Sequence, residues 1–134
     1  MVVADNDPDV VELLITDLRA EGHDVVGTAA GGEEALRLCV EHRPDVLVVD
    51  FRMPPGPNGI EVARRLRQAA ASTAVVLYTN YRRADIRKEA AAVGAPVLLK
   101  GNIRALRRAV AAAVPPAGRG PASGDGLGGS GDQR

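Results

Sequence analysis

The chain has 134 residues and no formal net charge, with 46% apolar residues but only 2% aromatic ones. That length suits one domain with an aliphatic core of Val, Leu, Ile and Ala. The scarcity of aromatics argues against readers that stack nucleic-acid bases, and no apolar run approaches the ~20 residues of a membrane span.

The first apolar run, Val2-Val3-Ala4, is short, β-branched and stops at Asp5, as a buried strand does. Asp7-Pro8 starts a helix: Asp7 can cap, and proline at the first helical position loses nothing. Val11, Leu14, Ile15 and Leu18 recur at helical spacing, and Gly22 ends the helix. Val25-Val26 reads as a second short strand. Gly31-Gly32 opens a second helix over 33–42, and Pro44 follows it. Val46-Leu47-Val48-Val49 is a third strand, stopping at Asp50. Three prolines and two glycines make Met53 to Gly59 a loop, stiff at Pro54-Pro55 and Pro57. A third helix over 60–70 leads to the strand Val75-Val76-Leu77-Tyr78, which stops at Thr79. A fourth helix over 82–93, closed by Gly94, precedes the strand Val97-Leu98-Leu99, which stops at Lys100. A fifth helix over 102–114 turns Ile103, Leu106 and Val110 inward.

Strand and helix alternate five times, which implies an α/β fold: a doubly wound, five-stranded parallel sheet with right-handed crossovers. From residue 115 the composition turns to Pro, Gly, Ser, Ala and Asp, and the reading is one domain over 1–114 with a disordered tail over 115–134. No internal repeat is visible beyond the strand-helix unit. The lone Cys39 is expected as a small buried apolar group, and His23 and His42 lack liganding neighbours. A single thiol and no basic-then-apolar start point to a reducing, cytoplasmic setting.

In an open parallel sheet, ligands bind at the carboxyl ends of the strands. Asp5, Asp50, Thr79 and Lys100 all follow strand ends, so two carboxylates, a hydroxyl and an ammonium reach one rim. Such a set can hold a divalent cation beside a phosphoryl group.

These four positions in order, with Asn6 beside Asp5 and the stretch Val49-Asp50-Phe51-Arg52-Met53-Pro54 running to Asn58-Gly59, resemble the receiver domain of two-component response regulators. The resemblance covers about residues 1–114. It implies the flavodoxin-like, CheY-like fold with strand order 2-1-3-4-5. It further implies that Asp50 accepts a phosphoryl group from a sensor histidine kinase or phosphotransfer protein. Asp5, Asn6, Asp50 and the backbone carbonyl of Arg52 would hold Mg²⁺. Thr79 would hydrogen-bond a phosphoryl oxygen, and Lys100 would pair with its charge. The domain would be a signalling switch, not an enzyme beyond its own phosphorylation and dephosphorylation.

Four departures from the family pattern stand out. Asn6 replaces a carboxylate, which should weaken Mg²⁺ binding. Gly101 replaces the proline, often cis, after the lysine, so a trans bond or a mobile turn is expected. Val97 replaces the aromatic switch residue, leaving Tyr81 as the nearby ring, lying over the site mouth, with the bulkier Asn80 beside it. The loop after Asp50 is one residue longer than usual.

Charge is unevenly spread. Residues 1–50 carry twelve acids and three arginines, whereas residues 51–134 carry five acids and fourteen basic residues. The fourth helix, fifth strand and fifth helix bear Arg82, Arg83, Arg87, Lys88, Arg104, Arg107 and Arg108. That face would meet an acidic downstream protein, or the acidic first helix (Asp9, Glu12, Asp17, Glu21) of a second copy. No nucleic-acid-reading element is visible. Two other readings compete: a degenerate receiver that binds proteins without phosphorylation, favoured by Asn6, Val97 and Gly101, and a small phosphatase similar to the haloacid dehalogenase family. The latter takes Asp5-Asn6-Asp7 as its Asp-x-Asp, but it needs a later acidic cluster, and after Lys100 the only acids are Asp125 and Asp132.

Overall fold

The computed structural model describes residues 1–69 and 71–115. In chain order the elements are β1 (Val2–Ala4), α1 (Pro8–Ala20), β2 (Gly27–Ala29), α2 (Gly32–His42), β3 (Val46–Val49), α3 (Gly59–Gln68), β4 (Ala74–Thr79), α4 (Ala84–Ala92), β5 (Val97–Leu99) and α5 (Ile103–Ala113). The five strands form one parallel sheet in the order β2-β1-β3-β4-β5, as expected. The expected tail from 116 onward lies outside the described residues.

The sheet separates two aliphatic layers, and strand periodicity decides which residue enters which. Val2, Ala4, Leu47, Val49, Val75 and Leu77 face α2 and α3. Val3, Val46, Val48, Val76 and Tyr78 face Leu14 and Leu18 of α1 and Leu106 and Val110 of α5. Because both faces are covered, the strands read as continuous apolar runs. No helix among the described residues is long and apolar enough to cross a membrane.

Several boundaries differ by a residue or two from the sequence reading, and two of them have a clear physical cause. The second strand is not Val25-Val26 but Gly27–Ala29, paired with β1 in the register Val2 to Gly27. Val26 already donates its N–H to the Met1 carbonyl, and its side chain is exposed. At a sheet edge, pairing rather than hydrophobicity sets the strand, and Gly27 lies under Leu38 where a larger residue would crowd it. The fourth helix begins at Ala84, because Arg83 is extended and offers no side-chain cap.

Local capping follows the sequence more closely. The Asp7 carboxylate accepts the Asp9 N–H, with Pro8 opening α1. Asn58 caps α3 by accepting the Glu61 N–H, and Asn102 caps α5 by accepting the Ala105 N–H. Gly59 is needed for a different reason. A Cβ there would lie 2.4 Å from the Asp50 carbonyl oxygen and 2.6 Å from Leu77 Cδ2. Gly59→Ala is therefore expected to cost about 2 kcal/mol through overpacking, measurable by urea unfolding.

Candidate functional site

Asp5, Asp50 and Lys100 each lie one residue past a strand, and the backbone ladder continues through them. The Asp5 N–H donates to the Ala29 carbonyl, the Asp50 N–H to the Ala4 carbonyl, and the Lys100 N–H to the Thr79 carbonyl. Their positions are thus fixed by strand pairing rather than by loop conformation. Asp5 is 2% exposed, Asp50 8% and Thr79 0%.

At the rim, the Lys100 ammonium sits between the two carboxylates. Its Nζ lies 2.8 Å from Asp5 Oδ2 and 2.9 Å from Asp50 Oδ2. Burial alone would push the Lys100 pKa down, but the hydrogen bonds to Asp5 and Asp50 outweigh it, and the pKa stands above the ordinary lysine value. Asp5 Oδ1 is satisfied by the Asp7 N–H at 2.9 Å. Asp50 Oδ1, in contrast, is buried with no hydrogen-bond partner.

A cleft of about 280 Å³ opens beside this cluster, lined by Asn6, Asp50, Arg52, Pro54, Thr79, Asn80 and Tyr81. The sequence-predicted residues are therefore brought together: Asp5, Asn6, Asp50, Thr79 and Lys100 converge, and the Arg52 segment forms one wall. A larger groove of about 970 Å³ adjoins it along α1, with Asp9, Glu12 and Glu34 on its lining. These acids belong to the acid-rich first fifty residues of the chain. No group of three or more His, Cys, Asp or Glu suited to a metal occurs among the described residues.

The turn after Lys100 is better held than expected. The Lys100-Gly101 bond is trans, the cis peptide bond among the described residues being Pro54-Pro55. Gly101 takes a φ of +95°, which an L side chain rarely adopts. Its N–H donates to the Tyr78 hydroxyl at 2.9 Å. Tyr78 thus ties down the turn that aims Lys100, a role invisible in sequence because the two residues are 23 apart.

The mouth of the cleft is bridged. The Arg52 guanidinium donates to the Tyr81 hydroxyl, and its carbon lies 6.0 Å from the ring centroid. Phe51 meets the same ring edge-on, with centroids 5.4 Å apart. Tyr81 does lie over the site mouth, and Arg52 contributes a side chain where the sequence points only to its carbonyl.

The basic face needs correcting at two arginines. Arg107 is not free on it: its guanidinium grips Asp17 of α1, with Nε 3.1 and 3.2 Å from the two carboxylate oxygens. The pair joins α5 to α1 instead of offering charge to a partner. Arg83 likewise pairs with Asp85 at 2.8 Å. Cys39 is buried as expected, with burial pushing its thiol up to about 11, which keeps it unreactive.

Comparison with known proteins agrees with this fold. The response regulator receiver domain model matches residues 1–110. The oxygen regulatory protein NreC of Staphylococcus haemolyticus is 39% identical over 61 residues, covering 46% of this chain and 28% of that protein. A protein-glutamate methylesterase/protein-glutamine glutaminase of Haloarcula marismortui is 40% identical over 97 residues, covering 70% of this chain and 26% of that protein. The chain thus spans about a quarter of the length of these curated relatives. Among solved structures, the signal receiver domain of the response regulator NarL from Mycobacterium tuberculosis superimposes with a TM-score of 0.77 at 34% identity, covering 84% of this chain and 93% of that one. With the fold, the strand-end residues and these likenesses in agreement, the chain belongs to the response regulator receiver domain family of two-component systems.

Proposed function

We propose that this domain accepts a phosphoryl group on Asp50 from the phosphohistidine of a sensor histidine kinase or phosphotransfer protein, in the cytoplasm. The observation that carries the reading is the Lys100 ammonium held between Asp5 and Asp50 beside the buried Thr79 hydroxyl. In the transfer, the bond from phosphorus to the imidazole nitrogen breaks as one forms to an Asp50 carboxylate oxygen. The histidine leaves as the neutral ring after taking up a proton. Phosphoryl transfer needs positioning and charge neutralisation more than covalent help. Lys100, a point charge on a flexible stem, can follow the new negative charge, and the Thr79 hydroxyl can donate to a phosphoryl oxygen.

The residues fit Mg²⁺. Asp50 Oδ1 is a buried carboxylate oxygen without a partner, and Asp5, the Asn6 amide oxygen and the Arg52 carbonyl are the hard oxygen donors such an ion takes. When bound, the ion neutralises charge on the phosphoryl oxygens. Phosphorylation adds roughly −1.5 to −2 charge, which biases α4, β5 and α5 between two arrangements. Arg82, Arg87, Lys88, Arg104 and Arg108 would then offer a basic surface to an acidic partner protein or to α1 of a second copy.

Asn6 and Val97 favour a second reading, a receiver that binds its partner without phosphorylation. Intact mass after treatment with acetyl phosphate and Mg²⁺ separates the two. Wild type should gain one phosphate and Asp50→Asn none. Equal mass gain in both, or none in wild type with any of several donors, would contradict phosphoryl acceptance at Asp50.

A further inference from the structure

We propose that Tyr78 is a positioning residue for phosphoryl transfer, its buried hydroxyl holding the turn that keeps the Lys100 ammonium aimed into the cleft. This deepens, and rests on, the reading of Asp50 as phosphoryl acceptor. Tyr78 and Thr79 are consecutive on β4 and so point to opposite faces of the sheet. Thr79 lines the cleft. Tyr78 is buried in the opposite layer, the one that holds Leu106 and Val110 of α5. From behind the sheet its hydroxyl reaches the end of β5 and accepts the Gly101 N–H at 2.9 Å.

That N–H lies in the peptide plane between Lys100 and Gly101, the central plane of a four-residue turn over 99–102. The turn is closed by the Asn102 N–H donating to the Leu99 carbonyl at 3.1 Å, and the Lys100 N–H donates to the Thr79 carbonyl at 2.9 Å. Both bonds hold the neighbouring planes and leave the central one free to flip. The two commonest turn types differ mainly by such a flip, about 150° in ψ of the second residue, which here is Lys100. Gly101, at φ +95°, offers little resistance, because glycine populates either sign of φ. The Tyr78 hydroxyl takes the one donor in that plane. Side-chain rotamers depend on the backbone dihedrals of their own residue, so holding the plane also restricts the rotamers open to Lys100.

The lysine stem is long and flexible, yet its Nζ is placed 2.8 Å from Asp5 and 2.9 Å from Asp50. Phosphoryl transfer depends on such placement, and a small displacement caused away from the chemistry is costly in rate. A proline after the lysine would stiffen the turn but carries no N–H. Gly101 supplies the N–H, and Tyr78 supplies the acceptor.

The test compares initial rates of labelling by limiting acetyl phosphate with Mg²⁺ in wild type, Tyr78→Phe and Val110→Ala. Tyr78→Phe keeps the ring in its layer and removes only the hydroxyl. The rate should fall about fivefold, the worth of one hydrogen bond. Val110→Ala opens a cavity in the same layer without touching the turn, and its rate should stay at wild type. A wild-type rate in Tyr78→Phe, or equal slowing in Val110→Ala, would overturn the proposal.

A second measurement needs no labelling. Held between two carboxylates, the Lys100 ammonium protons should exchange slowly enough to give a proton–nitrogen cross-peak in wild type and in Val110→Ala. In Tyr78→Phe that cross-peak should broaden or vanish, and the Gly101 amide should exchange several-fold faster. If wild type takes no label, phosphoryl acceptance at Asp50 fails, while this spectrum still decides whether Tyr78 positions Lys100. Absence of the cross-peak in wild type, or its persistence unchanged in Tyr78→Phe, would overturn that role.

Discussion

Lys100→Met should cost about 3 kcal/mol of stability at neutral pH, the low end of the loss expected when one partner of a buried ion pair is removed. The Lys100 side chain is 16% exposed and its partners Asp5 and Asp50 are 2% and 10% exposed, so solvent screens the group little. Without the ammonium, two carboxylates face one another at the sheet edge, and Asp50 already has one oxygen with no partner. The damage is then repulsion rather than lost packing. Adding Asp5→Asn to Lys100→Met should therefore recover stability, and Mg²⁺ should stabilise Lys100→Met more than wild type. In wild type the linkage has a definite sign. The folded-state pKa of Lys100 is raised, so its contribution is fully present below the unfolded lysine value near ~10.4. It is lost only as pH rises through the folded value. Urea unfolding from neutral pH upward past the unfolded lysine value of ~10.4 checks this. A Lys100→Met protein as stable as wild type, or one that Asp5→Asn fails to rescue, would contradict it.

Asn6→Asp should raise Mg²⁺ affinity by about ten- to a hundredfold, well within the ~4 kcal/mol that a unit charge contributes at ~4 Å and an effective dielectric near 20. The same change should lower the metal-free stability by about 1 kcal/mol, because a third carboxylate joins Asp5 and Asp50 without a matching cation. Both effects are read without phosphorylation, by calorimetric Mg²⁺ titration and by urea unfolding in chelator. Unchanged Mg²⁺ affinity would place residue 6 outside the cation site.

Much of this site can be read from the chain because its parts follow strand ends. Val46–Val49 and Ala74–Thr79 are apolar on both faces, and the residue that ends such a run must lie at the rim. Asp50, Thr79 and Lys100 inherit their positions from that rule, and Asp5 from the same rule at β1. Helix starts are legible where a side chain caps ahead of a proline, as at Asp7, whereas Asn102 reads as the first residue of α5 and proves to be its cap.

The features hidden from sequence depend on contacts between distant residues. β2 is Gly27–Ala29 because it pairs with β1, and the sequence Gly-Thr-Ala carries no hydrophobic signature. Arg107 reads as surface charge on α5 until folding brings Asp17 to it from 90 residues away. Tyr78 reads as one more apolar strand residue, yet its hydroxyl holds the Gly101 turn in place of the proline usual after the lysine. Arg52 and Tyr81 sit on separate loops, and no spacing rule brings their side chains together.

The site of modification is the most direct measurement. After exposure to acetyl phosphate with Mg²⁺, borohydride reduces an aspartyl phosphate to homoserine, and peptide mass then identifies the residue. Conversion confined to Asp50 is the predicted result. Conversion at another carboxylate, with Asp50 recovered unmodified from a phosphate-bearing protein, would contradict its role as phosphoryl acceptor.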